Sequence, residues 1–444
     1  MRINIGDKKM FCECLEEIFN KQIDMESING ITFDSRRIKQ NDIFIALKGS
    51  KSDGHNFMND CLKNGASIII NEVDSNNDNI LRVDSSSSFI GRLAKSYKSK
   101  MNCKVIGITG SNGKTTTKEI LLHTLKTKYQ VAYTKGNFNS TIGMPMSVFA
   151  IEKDDQIFIA EMGTNKKGEI AYLCDIVKPD MSLITNISEA HIGNFNSIEE
   201  IYIEKKNIFD SLDNDGIAFI NVDDKFISNT SLDNGCKKIQ YGFTADCHYN
   251  AKWNNDRIYI NNNQVSIPYK TNSFAYNTLA AFSIASELEI KLPFFQKSIE
   301  NFDIPNGRGK IIEKSNYRII DDSYNANFTS MVTGINSIKN ICTDKNRKII
   351  VLGDMLELGD KEIIFHKKLL DVIDANKIKD IFLIGDLMEN LYQIAFKKKS
   401  YNVFHYNEHQ TLINSLNSYV SDNDIIYIKG SRGIKMDKIV EGLK

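Results

Sequence analysis

Residues 103–120 read CKVIGITGSNGKTTTKEI. A short apolar run, Val105 to Thr109, ends in a glycine-rich loop that closes on Gly113-Lys114-Thr115, and a helix-like segment follows. The order is strand, phosphate loop, helix. In that arrangement backbone N–H groups of the loop and helix N-terminus point at an anion, and the helix dipole adds partial positive charge. Lys114 reaches the outer phosphates, and Thr115 carries the hydroxyl that such loops place on Mg²⁺. Glycine allows the backbone to approach phosphate this closely. One place departs from the common P-loop: Ile108 stands where a further glycine is usual, so the loop is Gly110-Ser111-Asn112-Gly113-Lys114-Thr115, with Thr116 next. The stretch predicts a nucleoside triphosphate site.

Composition narrows the rest. At about 150 residues per domain, 444 residues predict about three domains. Hydrophobic residues make up 41% and charged residues 25%, as in ordinary globular chains. Formal net charge is zero, which argues against a sequence-independent nucleic-acid binder. Eight cysteines are scattered without paired metal spacing, and Cys12 and Cys14 are too close for a C-x-x-C site. A reduced, cytoplasmic setting is expected. The N-terminus lacks an apolar core of signal-peptide length, and no stretch approaches the roughly 20 apolar residues of a membrane span. Lys397-Lys398-Lys399 reads as a solvated helix end, and the asparagines at 250–263 as compositional bias in a loop.

Three blocks separate by pattern, and together they predict an α/β chain of three domains. Residues 1–98 hold short β-like runs at 43–46 and 67–70 and end in a linker helix over 89–99. Residues 99–309 alternate apolar runs at 104–109, 156–160, 181–187 and 217–221 with helices at 115–127, 196–210 and 277–288. That alternation favours a parallel sheet of phosphate-loop type with helices on its faces. Residues 310–444 alternate most clearly, with strands at 317–321, 348–352, 380–384 and 424–428. This predicts a doubly wound, Rossmann-like domain, in which ligands bind at the carboxyl ends of strands. Asp321-Asp322, Ser323-Tyr324-Asn325, Gly353-Asp354, Gly385-Asp386 and Lys429 to Arg432 fall there.

Polar residues also follow the central strands. Glu161 comes after the QIFIA run, where a carboxylate ligates Mg²⁺ directly or through water. Asn186 and His191 follow the next strand; a lone His is usually a surface or core residue, and its place after a strand of a nucleotide-binding sheet favours a metal role. Residues 134–145 form a Gly/Asn-rich loop before a helix, also readable as an ordinary turn. Lys205 and Lys206, taken alone, read as solvated lysines.

In combination these segments resemble the Mur ligases, ATP-dependent amide-bond ligases of bacterial cell-wall synthesis, over nearly the whole chain. TGSNGKTTTKE is similar to the family's phosphate loop, DSRRIKQNDIFIALKGSKSDGHNF (34–57) to its uridine-nucleotide domain, and KGSRGIKMD (429–437) to its C-terminal signature. DDSYNANFTSM (321–331) and LGDMLELGD followed by His366 resemble the member that adds D-alanyl-D-alanine. The Asp-Asn-Pro-Arg motif usual in the ligase that adds the third peptide residue does not occur here.

The resemblance implies a reaction: ATP phosphorylates the free carboxylate of UDP-N-acetylmuramoyl-tripeptide, and the amine of D-alanyl-D-alanine attacks the acyl phosphate. It implies that Lys114, Glu161, His191 and Lys205 are catalytic, that two Mg²⁺ are held by Thr115, Glu161, His191 and a carbamylated Lys205, and that the chain acts as a monomer. By the same likeness Gly110, Ser111, Asn112, Gly113, Thr115, Thr116, Asn277, Arg308, Asp322, Tyr324 and Asn325 contact the nucleotide. Ser35, Arg36, Asn137, Asn139 and Asn327 then contact the other substrates. The chain departs from the family pattern at Asn207 (often acidic), Asn139-Ser140 (often Asn-Asn), Ser273-Phe274 (often His-Asn) and Phe328 (often Pro). Two other readings remain open: a ligase with another amino acceptor, and a nucleotide-binding protein without ligase chemistry.

Overall fold

Apolar runs buried on both faces become parallel strands here, as such runs do when helices cover each side of a sheet. The computed structural model describes residues 2–49, 52–244, 246–254, 257–342 and 346–443, so Ser50-Lys51 of the 34–57 segment and Asn255-Asp256 of the asparagine-rich stretch lie outside the described residues. Three sheets follow one another along the chain. The first has five strands, Arg2–Asn4, Gly30–Thr32, Asp42–Ile45, Ala66–Asn71 and Ile80–Arg82, in that order. The second has nine; at its centre Met181–Ile184, Lys104–Thr109 and Ile157–Glu161 lie side by side and parallel. The third has six, with Ile425–Lys429 between Arg318–Asp322 and Lys348–Gly353, all parallel.

The strands at 157, 318 and 425 each begin and end one residue later than their sequence pattern predicts. The consequence is chemical. Glu161, Asp322 and Lys429 are terminal strand residues held by ladder pairing, rather than loop residues: Glu161 pairs with Ile108, and Asp322 with Lys429. The helix expected at 277–288 begins earlier, at Asn272, because Thr271 caps it by accepting the Phe274 N–H. Asn277 therefore sits in its second turn.

The asparagine-rich stretch is not a loop. Tyr249–Asn254, Arg257–Ile260 and Asn263–Val265 form an antiparallel edge to the central sheet. Asn261 and Asn262, both with positive φ (45° and 66°), make the two-residue turn between the last two strands. Asparagine tolerates the left-handed region that such hairpin turns require.

The helix Ser86–Ser99 is a brace rather than a spacer. Ser85 caps it, and Phe89, Ile90, Leu93, Ala94 and Tyr97 are buried. It packs against Lys8–Phe19 of the first domain and against Gly143–Phe149 and Glu169–Val177 of the second. Tyr97 meets Phe11 and Phe149 edge-on, at 6.0 and 6.0 Å between centroids. Its hydroxyl accepts from the Asp7 N–H at 2.8 Å and donates to the Ile151 carbonyl at 2.7 Å. Tyr97→Phe keeps the ring and strips two backbone groups of their partner. It is expected to lower stability by about 1–3 kcal/mol, read as a lower urea midpoint.

Candidate active site

The phosphate loop is shaped by two glycines and pinned by the neighbouring strand end. Gly110 and Gly113 have φ of 145° and 84°, and a Cβ on either would overlap Thr185 Oγ1 or Asn277 Oδ1 respectively. Ser111 N–H donates to the Asn186 carbonyl at 2.8 Å, and Asn112 N–H to Asn186 Oδ1 at 3.1 Å. Thr185 Oγ1 donates to the Asn112 carbonyl at 2.6 Å, and Ser111 Oγ to the Ser188 carbonyl at 3.0 Å. The helix Lys114–Leu125 starts directly behind. Lys114 arches back so that Nζ donates to the Gly110 carbonyl at 2.6 Å. Burial pushes its ammonium down to about 8; Glu161 opposes that shift and Arg308 adds to it.

Glu161 is 2% exposed. Its Oε1 accepts from Thr115 Oγ1 at 3.1 Å and from Asn139 Nδ2 at 2.8 Å. Oε2 has no hydrogen-bond partner; Lys118 Nζ lies 3.5 Å away. A buried carboxylate oxygen left without a donor, beside a threonine hydroxyl at a phosphate loop, fits a hard cation that takes oxygen ligands. No cluster of three His, Cys, Asp or Glu side chains fit for a metal occurs among the described residues. Any Mg²⁺ here would therefore draw further ligands from phosphate and water.

The third domain closes the other side. A cavity of about 760 Å³ lies between the two, lined by Ser111 to Thr116, Asn137, Asn139, Glu161, His191, Asn277, Arg308, Asp322, Tyr324, Asn325 and Asn327. Arg308 stacks on the Tyr324 ring at 3.7 Å and donates to Thr115 Oγ1 at 3.1 Å. Asn327 caps the helix Phe328–Ser337 and donates from Nδ2 to Asn112 Oδ1 at 2.9 Å. Thr329 Oγ1 donates to Glu189 Oε2 at 2.6 Å. Asp322 accepts from Lys429 Nζ at 2.6 Å and the Tyr427 hydroxyl at 2.8 Å.

Four expected residues do not line this cavity: Gly110, whose carbonyl holds Lys114, and Ser35, Arg36 and Lys205. Ser35 and Arg36 lie in a short helical turn of the first domain, where Arg36 donates to Asp34 at 2.8 Å. Lys205 and Lys206 are not a solvated pair. Lys205 is 2% exposed and makes no ion pair among the described residues, while Lys206 pairs with Asp210. Burial, with Lys114 close by, drives the Lys205 ammonium well below the ordinary lysine range.

The comparisons with known proteins agree from end to end. A model described as the Mur ligase middle domain matches residues 108–285, the Mur ligase glutamate ligase domain matches 307–432, and the Mur ligase family catalytic domain matches 27–104. The UDP-N-acetylmuramoyl-tripeptide–D-alanyl-D-alanine ligase of Bacillus subtilis is 33% identical over 437 residues, which is 96% of this chain and 95% of that one. The chain belongs to the Mur ligase family. The ligase of the same name from Rickettsia prowazekii is also 33% identical, over 93% of this chain and 94% of its own. Among solved structures, MurF from Acinetobacter baumannii superposes with a TM-score of 0.85 at 27% identity, covering 97% of this chain and 98% of that one. MurF from Thermotoga maritima in complex with ADP gives 0.82 at 26%, covering 93% and 96%.

Three further residues of this Mur ligase escape a sequence reading. Lys118, fully buried, donates to the Thr134 carbonyl at 2.7 Å and places positive charge beside Glu161. Its only signal is a lysine one helical turn after Lys114. Glu204 accepts from the Gly168 and Ile170 N–H groups at 2.7 and 2.8 Å, and so anchors the start of the helix Glu169–Val177. Glu357 reaches His191 Nδ1 from the third domain. No spacing predicts that contact, because 166 positions separate the two.

The Lys114 environment sets a pH dependence. Below its folded value the ammonium is charged, and a polyphosphate binds that form; above it the charge is lost. Affinity for ADP, measured by calorimetry, is expected to be full near pH 7. It should fall as pH rises through about 8, by up to about tenfold per unit. Lys114→Arg keeps its charge and should flatten the profile.

Proposed function

We propose that this chain joins D-alanyl-D-alanine to UDP-N-acetylmuramoyl-tripeptide, at the expense of ATP, in peptidoglycan precursor synthesis. The observation that carries the choice of substrates is the 33% identity, over 96% of the chain, to a ligase so named. The chain is an ATP-dependent amide-bond ligase by family. The site supports the same chemistry. The loop amides from Gly110 to Thr115 and the Lys114 ammonium receive the phosphates. Arg308 approaches from the connecting segment, and Tyr324, Asp322 and Asn325 from the third domain, as the nucleotide contacts.

Chemistry then runs in two displacements. An oxygen of the tripeptide carboxylate bonds to the γ-phosphorus as the bond to ADP breaks. The dipeptide amine bonds to the carbonyl carbon and gives up a proton, phosphate leaves, and the amide remains. Lys114 and Arg308 offset charge on the transferring group, and Asn137 and Asn139 line the acceptor side. Thr115 and Glu161 would hold Mg²⁺, which supplies Lewis acidity at the phosphates; His191 and Lys205 are read as holding a second. We read Lys205 as the site of a carbamate. Burial among apolar groups and near Lys114 favours the neutral amine, whose nitrogen bonds to CO₂ and releases a proton, leaving a carboxylate-like ligand.

The reading assigns the UDP moiety to residues 1–98, with Ser35 and Arg36 near uracil, ATP and ligation to 99–309, and dipeptide and nucleotide contacts, including Asn327, to 310–444. The cavity is completed within one chain, in keeping with a monomer. All eight cysteines are free, in keeping with the cytoplasm. No helix among the described residues is long and apolar enough to cross a membrane.

Phosphate release with ATP and Mg²⁺ tests the reading. It is expected only when UDP-tripeptide and D-alanyl-D-alanine are both present; release with another amino acid in place of the dipeptide, or none at all, overturns it. Lys205→Ala is expected to lose activity by at least about a hundredfold, and short carboxylic acids in solution should restore part of it. Full turnover in that variant removes the carbamate.

A further inference from the structure

The LGDMLELGD segment lies beside the cavity, yet of its nine residues only Leu356 and Glu357 line it. What it does is visible in how it is held. His366, fully buried, donates from Nδ1 to the Glu362 carbonyl at 2.6 Å and accepts the Met355 N–H on Nε2 at 3.0 Å. Ser431 Oγ accepts the Leu356 N–H at 2.9 Å, and Ser431 N–H donates to the Asp354 carbonyl at 2.9 Å. Asp354 Oδ1 accepts the Met388 N–H at 2.8 Å. Three strand ends of the third sheet thus brace the backbone on both sides of residue 355. The next residue but one, Glu357, has a φ of 64°, and this turns its side chain and carbonyl across the gap to the second domain.

There both groups land on one short turn. The Glu357 carbonyl accepts the Gly193 N–H at 2.9 Å, and the carboxylate meets His191 Nδ1. The approach is backbone to backbone: a Cβ on Gly193 would lie 2.8 Å from Gly359 N, and one on Gly359 would lie 3.0 Å from Gly193 Cα. His191 is itself left-handed, at φ 60°. A carboxylate only accepts, so Nδ1 carries a proton; in the neutral ring Nε2 then has the lone pair. No hydrogen bond to Nε2 occurs among the described residues, and the His191 ring lines the cavity.

We propose that Glu357 is a positioning residue: the third domain presents its carboxylate to His191 on closure, fixing the ring with the Nε2 lone pair free, so that the ligation site is complete only when the two domains meet. Carboxylates that orient a functional histidine through its other nitrogen act in this way elsewhere, and their loss costs about 10–100-fold. The proposal rests on the ligase reading for the purpose of closure, but not for the contact itself.

The test uses the full chain with Glu357→Ala, Glu357→Gln and Glu357→Asp. Gln keeps reach and acceptor while losing charge; Asp keeps charge and loses reach. In metal-free protein saturated with a non-hydrolysable ATP analogue, ¹⁵N-labelled histidine should show the Nδ1–H form of His191. That signal should persist in the Gln variant and become a tautomer mixture in Ala and Asp. Small-angle scattering should show the same split, with Ala and Asp more open. In turnover, Ala and Asp should lose about 10–100-fold in kcat with KM for ATP changed less than about threefold, and Gln should recover most of it. Ala and Asp variants that match wild type in ring state and kcat, or a Gln variant as impaired as Ala, overturn the proposal. If Ala does not fold, the Gln and Asp pair decides alone. Wild type inactive with both substrates defeats the ligase reading, and the ring and scattering measurements still decide the contact.

Discussion

A carboxylate buried at the end of a β-strand has to be matched by positive charge, and Glu161 sets that demand at the middle of this molecule. Its backbone is fixed by pairing to the strand that feeds the phosphate loop. Thr115 and Asn139 satisfy one oxygen, and the other faces Lys118 without a hydrogen bond. An unpaired buried charge of this kind is costly. The cation held partly off, at 3.5 Å, tempers the cost without saturating the oxygen. The position therefore leaves one oxygen without a hydrogen bond, free for the proposed metal, and the Thr115 hydroxyl lies beside it.

The second domain by itself forms only half of this arrangement. Asn112 to Asn327, Glu189 to Thr329 and His191 to Glu357 are polar contacts that cross to the third domain, and Arg308 of the connecting segment reaches Thr115. Each ends on a residue beside the phosphate loop or beside the turn after the next strand. Gly307 and Gly309, at φ 77° and 88°, lie in the connection between the domains. Small residues in the left-handed region suit a hinge that absorbs large backbone changes. These polar contacts add to apolar packing, for Ile192 and Phe195 of the second domain belong to the same buried cluster as Met355 and Leu358 of the third.

Much of this was legible in the sequence for a simple reason. Apolar runs such as Val105 to Ile108 and Ile349 to Leu352, separated by helices, leave few architectures other than parallel sheets. The strand-loop-helix order located the nucleotide end of the cavity. What periodicity missed was fixed by other forces. The hairpin at 257–265 is set by two asparagines in the left-handed region, whereas asparagine in general argues against strand. Lys205 and its neighbour look alike as letters; only the turn of the helix Ile198–Asp210 buries one and leaves the other partly in solvent. One-residue errors at strand ends hid that Glu161 and Asp322 are ladder residues.

The LGDMLELGD motif of the third domain is better understood as mechanics than as a set of ligands. His366 is fully buried, and burial lowers its affinity for a proton; neutral, it donates at one nitrogen and accepts at the other, which a charged imidazole cannot do. That pairing holds the Met355 backbone, Ser431 holds Leu356, and the strain of a left-handed Glu357 is thereby supported from behind. A histidine eleven positions from the loop it fixes, and a serine seventy-five positions away, look unrelated along the chain. They belong together because a side chain offered across a domain boundary has to start from a rigid base, or the entropy of ordering it would cancel what the contact contributes.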